Sequence, residues 1–265
     1  MYDINEIDLL LGRPIQIHPK VFVTVPTVEE AIDNPKFEKS FRLFTIRTRE
    51  IFNLERNVDA LEEKYPTVWD FMWDEQTDKT FGKLFGEEEK TFTMVVMEAI
   101  SFLTGLTLDG EEGFHKLDNG RKLVHLESDW IIDLQEFSNF CKLIKYMTAH
   151  KEPEDLAPKI SSDDRHQVWL KTYKGRMNNR RRQGGVTWAG RMLILSVSPN
   201  GYIPLREIKD MTIFTFYQTF AILSLKDSYE INMDVLLSPK FSSKEGSKPP
   251  KHWKETYNTG LHKLS

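Results

Sequence analysis

The strongest constraint on how this chain folds is the run Arg165 to Arg191, RHQVWLKTYKGRMNNRRRQGGVTWAGR. It carries eight cations and no acidic side chain. Cations at that density do not enter an apolar core without partners. The run therefore has to lie at a surface, and it separates an acidic body before it from a short apolar module after it. Ser161 or Ser162 stands where a helix through the run needs a cap, and Gly184-Gly185 breaks that helix.

The remaining composition narrows the class. With 265 residues, 40% hydrophobic and 12% aromatic, the chain is long enough for a packed core. No apolar run reaches the ~18 residues that span a bilayer, so no membrane helix is expected. The N-terminal MYDINEIDLLLGRP lacks the basic flank of a secretory signal. One cysteine, Cys141, excludes an internal disulfide and a cysteine zinc cluster, and fits a reducing compartment. The net charge of −4 hides an asymmetry: Glu50 to Glu112 holds 16 acids against 5 bases. Opposite local signs point to self-association or to separate partners for the two parts.

Periodicity then places the elements. DINEIDLLLG reads as a short helix ended by Gly12. Ile15, Ile17, Val21, Val23 and Val25 alternate around His18-Pro19-Lys20 as a small hairpin. Thr27 and Glu30 form a capping box. Asn34-Pro35 opens a helix expected to reach about Asn53, with Phe37, Phe41, Phe44, Thr48 and Ile51 on one side. Thr67 caps a short helix holding Trp69, Phe71, Met72 and Trp73, and Lys90 to Leu106 is the best-patterned helix. A second hairpin is expected at 114–117 and 121–125 across Asp118-Asn119-Gly120. Asp133 and Glu136 open a helix that ends near His150. The Pro-broken segment 151–160 marks a boundary. Thr187 caps a short helix, Thr212 opens a longer one, and Asp227 or Ser228 caps a last one. After Leu237, Ser, Pro, Gly and Lys dominate and little stable structure is expected.

The fold class that follows is α+β and predominantly helical. A helical body with two small β-hairpins spans 1–150, and a basic linker helix spans 151–186. A helical module spans 187–237 and a flexible tail 238–265.

Motifs that carry chemistry are missing. There is no phosphate-cradling glycine loop, no HExxH, no paired cysteines and no DxDxDG loop. The acidic loop Asp109-Gly110-Glu111-Glu112-Gly113 matches no cation-loop spacing and reads as solvated. Of seven scattered histidines, His115 and His125 are expected to face each other across the second hairpin as a surface pair. Cys141 reads as a buried filler. No catalytic residue, metal site or cofactor is therefore expected, and the chain reads as a non-enzyme.

Two surfaces are candidates for binding. Lys171, Lys174, Arg176, Arg180, Arg181 and Arg182, interleaved with Trp169, Tyr173 and Trp188, suit nucleic acid or another acidic partner. They equally suit a solvated linker helix. Ile213, Phe216, Tyr217, Phe220 and Leu223 make a wide apolar helix face, which fits either a partner helix or the module's own core.

Leu9-Leu10-Leu11-Gly12-Arg13-Pro14-Ile15 followed by VPTVEEAID stands near the start. Ile208 to Tyr217 (IKDMTIFTFY), Asp227 to Asn232 (DSYEIN) and His252-Trp253 stand near the end. In these short motifs and in the order of its parts, the chain resembles the tail assembly chaperones of tailed bacteriophages. Relatives of that kind run from the last helix through an Ala-Gly-Lys-rich segment to a closing His-Trp. Here SPKFSSKEGSKPP takes that place and twelve residues follow Trp253. The resemblance implies a mostly helical, non-enzymatic protein of the bacterial host cytoplasm. It would hold the hydrophobic tape-measure protein, or another tail protein, until tube subunits polymerise. A structural virion component and a nucleic-acid-binding phage protein are the alternatives.

Overall fold

The computed structural model describes residues 2, 4–150, 156–159, 162–183, 187–198, 202–237 and 250–257. Among them lie thirteen α-helices and two small antiparallel sheets, a predominantly helical α+β fold.

Helix α1 (Glu6–Leu11) starts on Asn5, whose side chain accepts from Ile7 N–H. It stops at Gly12, whose φ of 69° a side chain would strain. Strands β1 (Ile15–His18) and β2 (Val21–Val23) form the first hairpin, bulged between Gln16 and His18. Helix α2 (Val28–Asp33) carries the full Thr27/Glu30 capping box. The helix expected to run from Asn34-Pro35 to about Asn53 is instead two. Helix α3 (Lys36–Thr45) ends at Ile46, and α4 (Thr48–Ile51) restarts after extended backbone at Ile46 and Arg47. The break lets Arg49 reach Asp59 and Glu62 on α5 (Val58–Lys64), at 2.8 and 2.5 Å.

A 3-10 turn, Val68–Met72, buries Trp69, Phe71 and Met72. Helix α6 (Glu75–Thr80) and a second 3-10 turn lead to α7 (Phe92–Thr104), capped by Thr91 and closed by Gly105. Phe92, Val95, Val96, Ala99 and Leu103 make its buried face, while Phe102 and Leu106 pack at the core's edge.

The second sheet has one strand more than expected: β3 (Phe114–Leu117), β4 (Lys122–His125) and β5 (Trp130–Ile132). The turn also holds Arg121, at positive φ, so Phe114 pairs with His125 and His115 with Val124. His115 and His125 are therefore not partners. His125 is fully buried between Ser128 and the Thr107 carbonyl, whereas His115 meets the Glu111 carbonyl at the surface.

Helix α8 (Leu134–Met147) is capped by Asp133, but Glu136 does not return the bond. Its Oε1 instead accepts from Trp130 Nε1 and the Tyr2 hydroxyl, both at 3.0 Å. Ala157 anchors the described part of the 151–160 segment through Asn53 and Arg49. Helix α9 (Asp163–Gln183) follows, then α10 (Trp188–Val197), α11 (Leu205–Asp210) and α12 (Ile213–Leu237). The two helices expected from Thr212 onward are one. At Ser228 the side chain bonds back to the Ser224 carbonyl, four residues earlier, and the helix continues past it. In the tail, a one-turn helix α13 (Trp253–Thr256) packs on α12 through His252 against Tyr229 and Tyr257 against Gln218. Residues 238–249 and 258–265 lie outside the described set.

The main core gathers buried side chains from Leu9 to Met147, together with Ile213 and Phe214. A smaller core joins Val28 of α2 to Leu195, Ile208, Phe216 and Leu223. Backbone bonds from Val28 to Met211 (2.8 Å) and from Ile213 to Pro26 (2.9 Å) fasten α12 to the body. Lys209 adds an ion pair to Glu29.

Candidate partner-binding cleft

Between the body and the C-terminal helices lies an open cleft of about 750 Å³. Phe41 of α3, Ile46 after it and His150 just past α8 form one wall, and Trp188, Arg191, Tyr217 and Phe220 form the other. Ala221 and Ser224, on α12, lie along it too. The walls are positioned by the two cores, because Phe214 and Phe216 lock α12 in rotation and leave Tyr217 and Phe220 facing outward. Trp188 stacks on Phe216, with ring centroids 5.3 Å apart and planes 28° apart, and also touches Tyr217. The far wall is thus a fixed aromatic surface built on a buried residue.

The rim is charged. Burial lowers the His150 pKa, and Lys145 and the Arg47 guanidinium push the same way. Burial raises the Tyr217 pKa, opposed by Arg191. Glu50 lines the cleft with Oε2 out of solvent and without a hydrogen-bond partner. An apolar, partly aromatic trough edged by Glu38, Arg42, Glu50 and Arg191 suits a protein segment with both apolar and polar side chains.

The apolar face read from the sequence is divided by the structure. Ile213 enters the main core, Phe216 and Leu223 the smaller one, and Tyr217 and Phe220 reach the cleft. Phe41, Ile46, His150 and Arg191 join them from elements distant in sequence, and no local pattern marks them.

The basic run as far as Gln183 lies on α9, a helix of 21 residues, and Arg191 falls on α10. Helix α9 is tethered at its start by Arg56 to Asp163 and by the buried His166. Lys171, Lys174 and Arg176 are exposed, while the side chains of Arg180, Arg181 and Arg182 lie outside the described set. Trp169 and Tyr173 stack on each other at 5.0 Å. Trp188 belongs to the cleft instead.

Cys141 is half-buried, and desolvation pushes its thiol up to about 12, which disfavours the thiolate that a nucleophile needs. Among the described residues no group of three or more His, Cys, Asp or Glu side chains is placed to hold a metal ion. No described helix is long and apolar enough to cross a membrane.

No curated protein and no solved structure matches the chain. Residues 191–258 match the family model described as the YomV second domain, YomV being a Bacillus phage protein. That span begins at Arg191 on the cleft wall and takes in α11, α12 and α13, so the C-terminal part of this chain is similar to a phage-associated domain.

Proposed function

We propose that this protein is a non-enzymatic assembly factor of a tailed phage, acting in the host cytoplasm as a tail assembly chaperone. It holds a segment of the tape-measure protein, or of another tail protein, in the cleft between α3 and α12. The observation that carries this reading is the cleft itself, an open trough whose aromatic wall is held by a buried neighbour. The likeness of residues 191–258 to a phage-associated domain supports the phage setting, and the resemblance of the short motifs near both ends to tail assembly chaperones points to the role. The test is co-expression with the tail proteins of the same phage, followed by affinity capture. The wild-type chain retains a long helical tail protein, and Ala221→Arg, which fills the trough from an accessible position, releases it while the circular dichroism spectrum is unchanged. Capture that survives Ala221→Arg overturns the cleft as the site. A wild-type chain that retains no tail protein overturns the function.

A second reading rests on α9, where exposed Lys171 and Lys174 flank the Trp169–Tyr173 stack. Single-stranded nucleic acid is bound by such cations and aromatic platforms, with affinity falling steeply as salt rises. A fluorescence titration of a labelled oligonucleotide at low and high salt tests it, and absence of binding at low salt removes it.

A further inference from the structure

Beside the cleft, and sharing Ile46 with it, is a second cavity of about 300 Å³. Phe44, Phe137 and Val68 supply apolar walls, and Thr48 and Lys145 are its polar groups of interest. Thr48 is 2% exposed, and its hydroxyl has no hydrogen-bond partner. A buried hydroxyl left unpaired costs roughly 1–3 kcal/mol, so a polar group that enters the cavity and pairs with it is favoured. Lys145 lines the same cavity, and no ion pair or hydrogen bond from it to a described residue is found.

We propose that this cavity receives a carboxylate side chain of the protein segment held in the neighbouring cleft. The assignment rests on the cleft reading above and specifies the chemistry of its ligand. A carboxylate entering between Thr48 and Lys145 accepts from the hydroxyl and pairs with the ammonium, which satisfies both groups at once. Arg47 also lines the cavity. Glu62, the one acid among the described lining residues, is already paired with Arg49. Glu50 faces the adjoining cleft. Burial, and after it Arg47, lower the Lys145 pKa, with Cys141 and Glu50 opposing, and an incoming carboxylate favours the charged form.

Two labelled amphipathic helical peptides of about 18 residues serve as probes, with one leucine-rich face and either glutamate or glutamine on the other. Fluorescence anisotropy with the full chain is expected to show the glutamate peptide binding about tenfold more tightly. The preference disappears in Lys145→Met and shrinks in Thr48→Val, which keeps the packing volume. It survives in Lys142→Met, a neighbouring exposed lysine that lines neither cavity. Ala221→Arg weakens both peptides. Equal affinity for the two peptides on the wild-type chain overturns the carboxylate pocket and leaves the cleft standing. So does an equal loss of preference in Lys142→Met, which marks bulk charge as the cause. Binding of neither peptide overturns the cleft reading and the pocket with it.

Discussion

The guanidinium of Arg191 lies over the ring of Tyr217, 5.6 Å from its centroid. This contact joins α10 to α12 across the aromatic wall of the cleft. A cation over a partly exposed ring contributes about 0.5–1 kcal/mol. Arg191→Ala is expected to lower the free energy of unfolding by about that amount in urea titrations. It should also move the Tyr217 phenol further up in a spectrophotometric titration, because Arg191 is what holds it down against burial. An unchanged phenol titration would show that the two side chains do not interact in solution.

A second expectation concerns Glu136, whose Oε1 takes hydrogen bonds from both Trp130 and Tyr2. Both bonds end on a charged acceptor, and such bonds contribute roughly 1.5–3 kcal/mol each. Glu136→Gln keeps the shape and removes the charge. Denaturant unfolding should show a loss of about 1–3 kcal/mol, with altered Trp130 fluorescence in the folded state. Burial and Glu136 together raise the Tyr2 phenol pKa, and the variant removes the second cause.

What the sequence made legible follows from range. Caps and turns are local, so Thr27, Thr67, Asp133 and Thr187, each read from the sequence, stand one residue before the helices they open; Asn5 and Thr91 do the same without having been singled out. The break between α3 and α4 was not legible, because it serves Arg49 and its partners on a later helix. The third strand, β5, reads Trp130-Ile131-Ile132, an apolar run with no polar residue to mark its exposed position. Within the candidate site, Tyr217 and Phe220 were visible through helical spacing. Their separation from Ile213, Phe216 and Leu223 depends on which neighbours cover each side of α12, and that information lies elsewhere in the chain.

Gly82 offers a test of close packing. A Cβ there would sit 2.1 Å from the Lys90 carbonyl oxygen and 2.7 Å from that of Glu87. Neither backbone can yield without moving the entry into α7. Gly82→Ala is expected to destabilise by about 1–3 kcal/mol in urea, the range for forced overpacking. A neutral result would mean that the 87–90 segment is free to shift.

Asp74 sets a stability change at low pH. Bonds from Lys64 and the Thr77 amide hold its carboxyl down at about 2, with the Tyr65 hydroxyl adding to them. A carboxyl depressed in the folded state stabilises fully above its unfolded value of about 3.9, and that contribution is lost as pH falls towards the folded value. Thermal midpoints should therefore fall between about pH 4 and about pH 2, and Asp74→Asn should flatten that part of the profile. An identical profile in the variant would locate the acid sensitivity at other carboxylates.

His150 carries the opposite kind of linkage. Its folded pKa lies below the ordinary value of 6.5, first through burial and then through Lys145 and Arg47. The unfolded chain therefore takes up this proton more readily than the folded one. Stability attributable to His150 is complete above about pH 6.5 and declines as the pH drops below it. His150→Gln, which stays neutral, should remove that part of the slope in denaturant midpoints measured from pH 8 to pH 5. A carboxylate held beside Lys145 offsets one of the charges that resist protonation of His150. The midpoint of the wild-type chain saturated with the glutamate-bearing peptide should therefore depend less on pH over this range than that of the free chain. A slope unaltered by both the substitution and the peptide would mean that His150 is as solvated as an unfolded histidine, and that the cleft rim is wetter than its packing indicates.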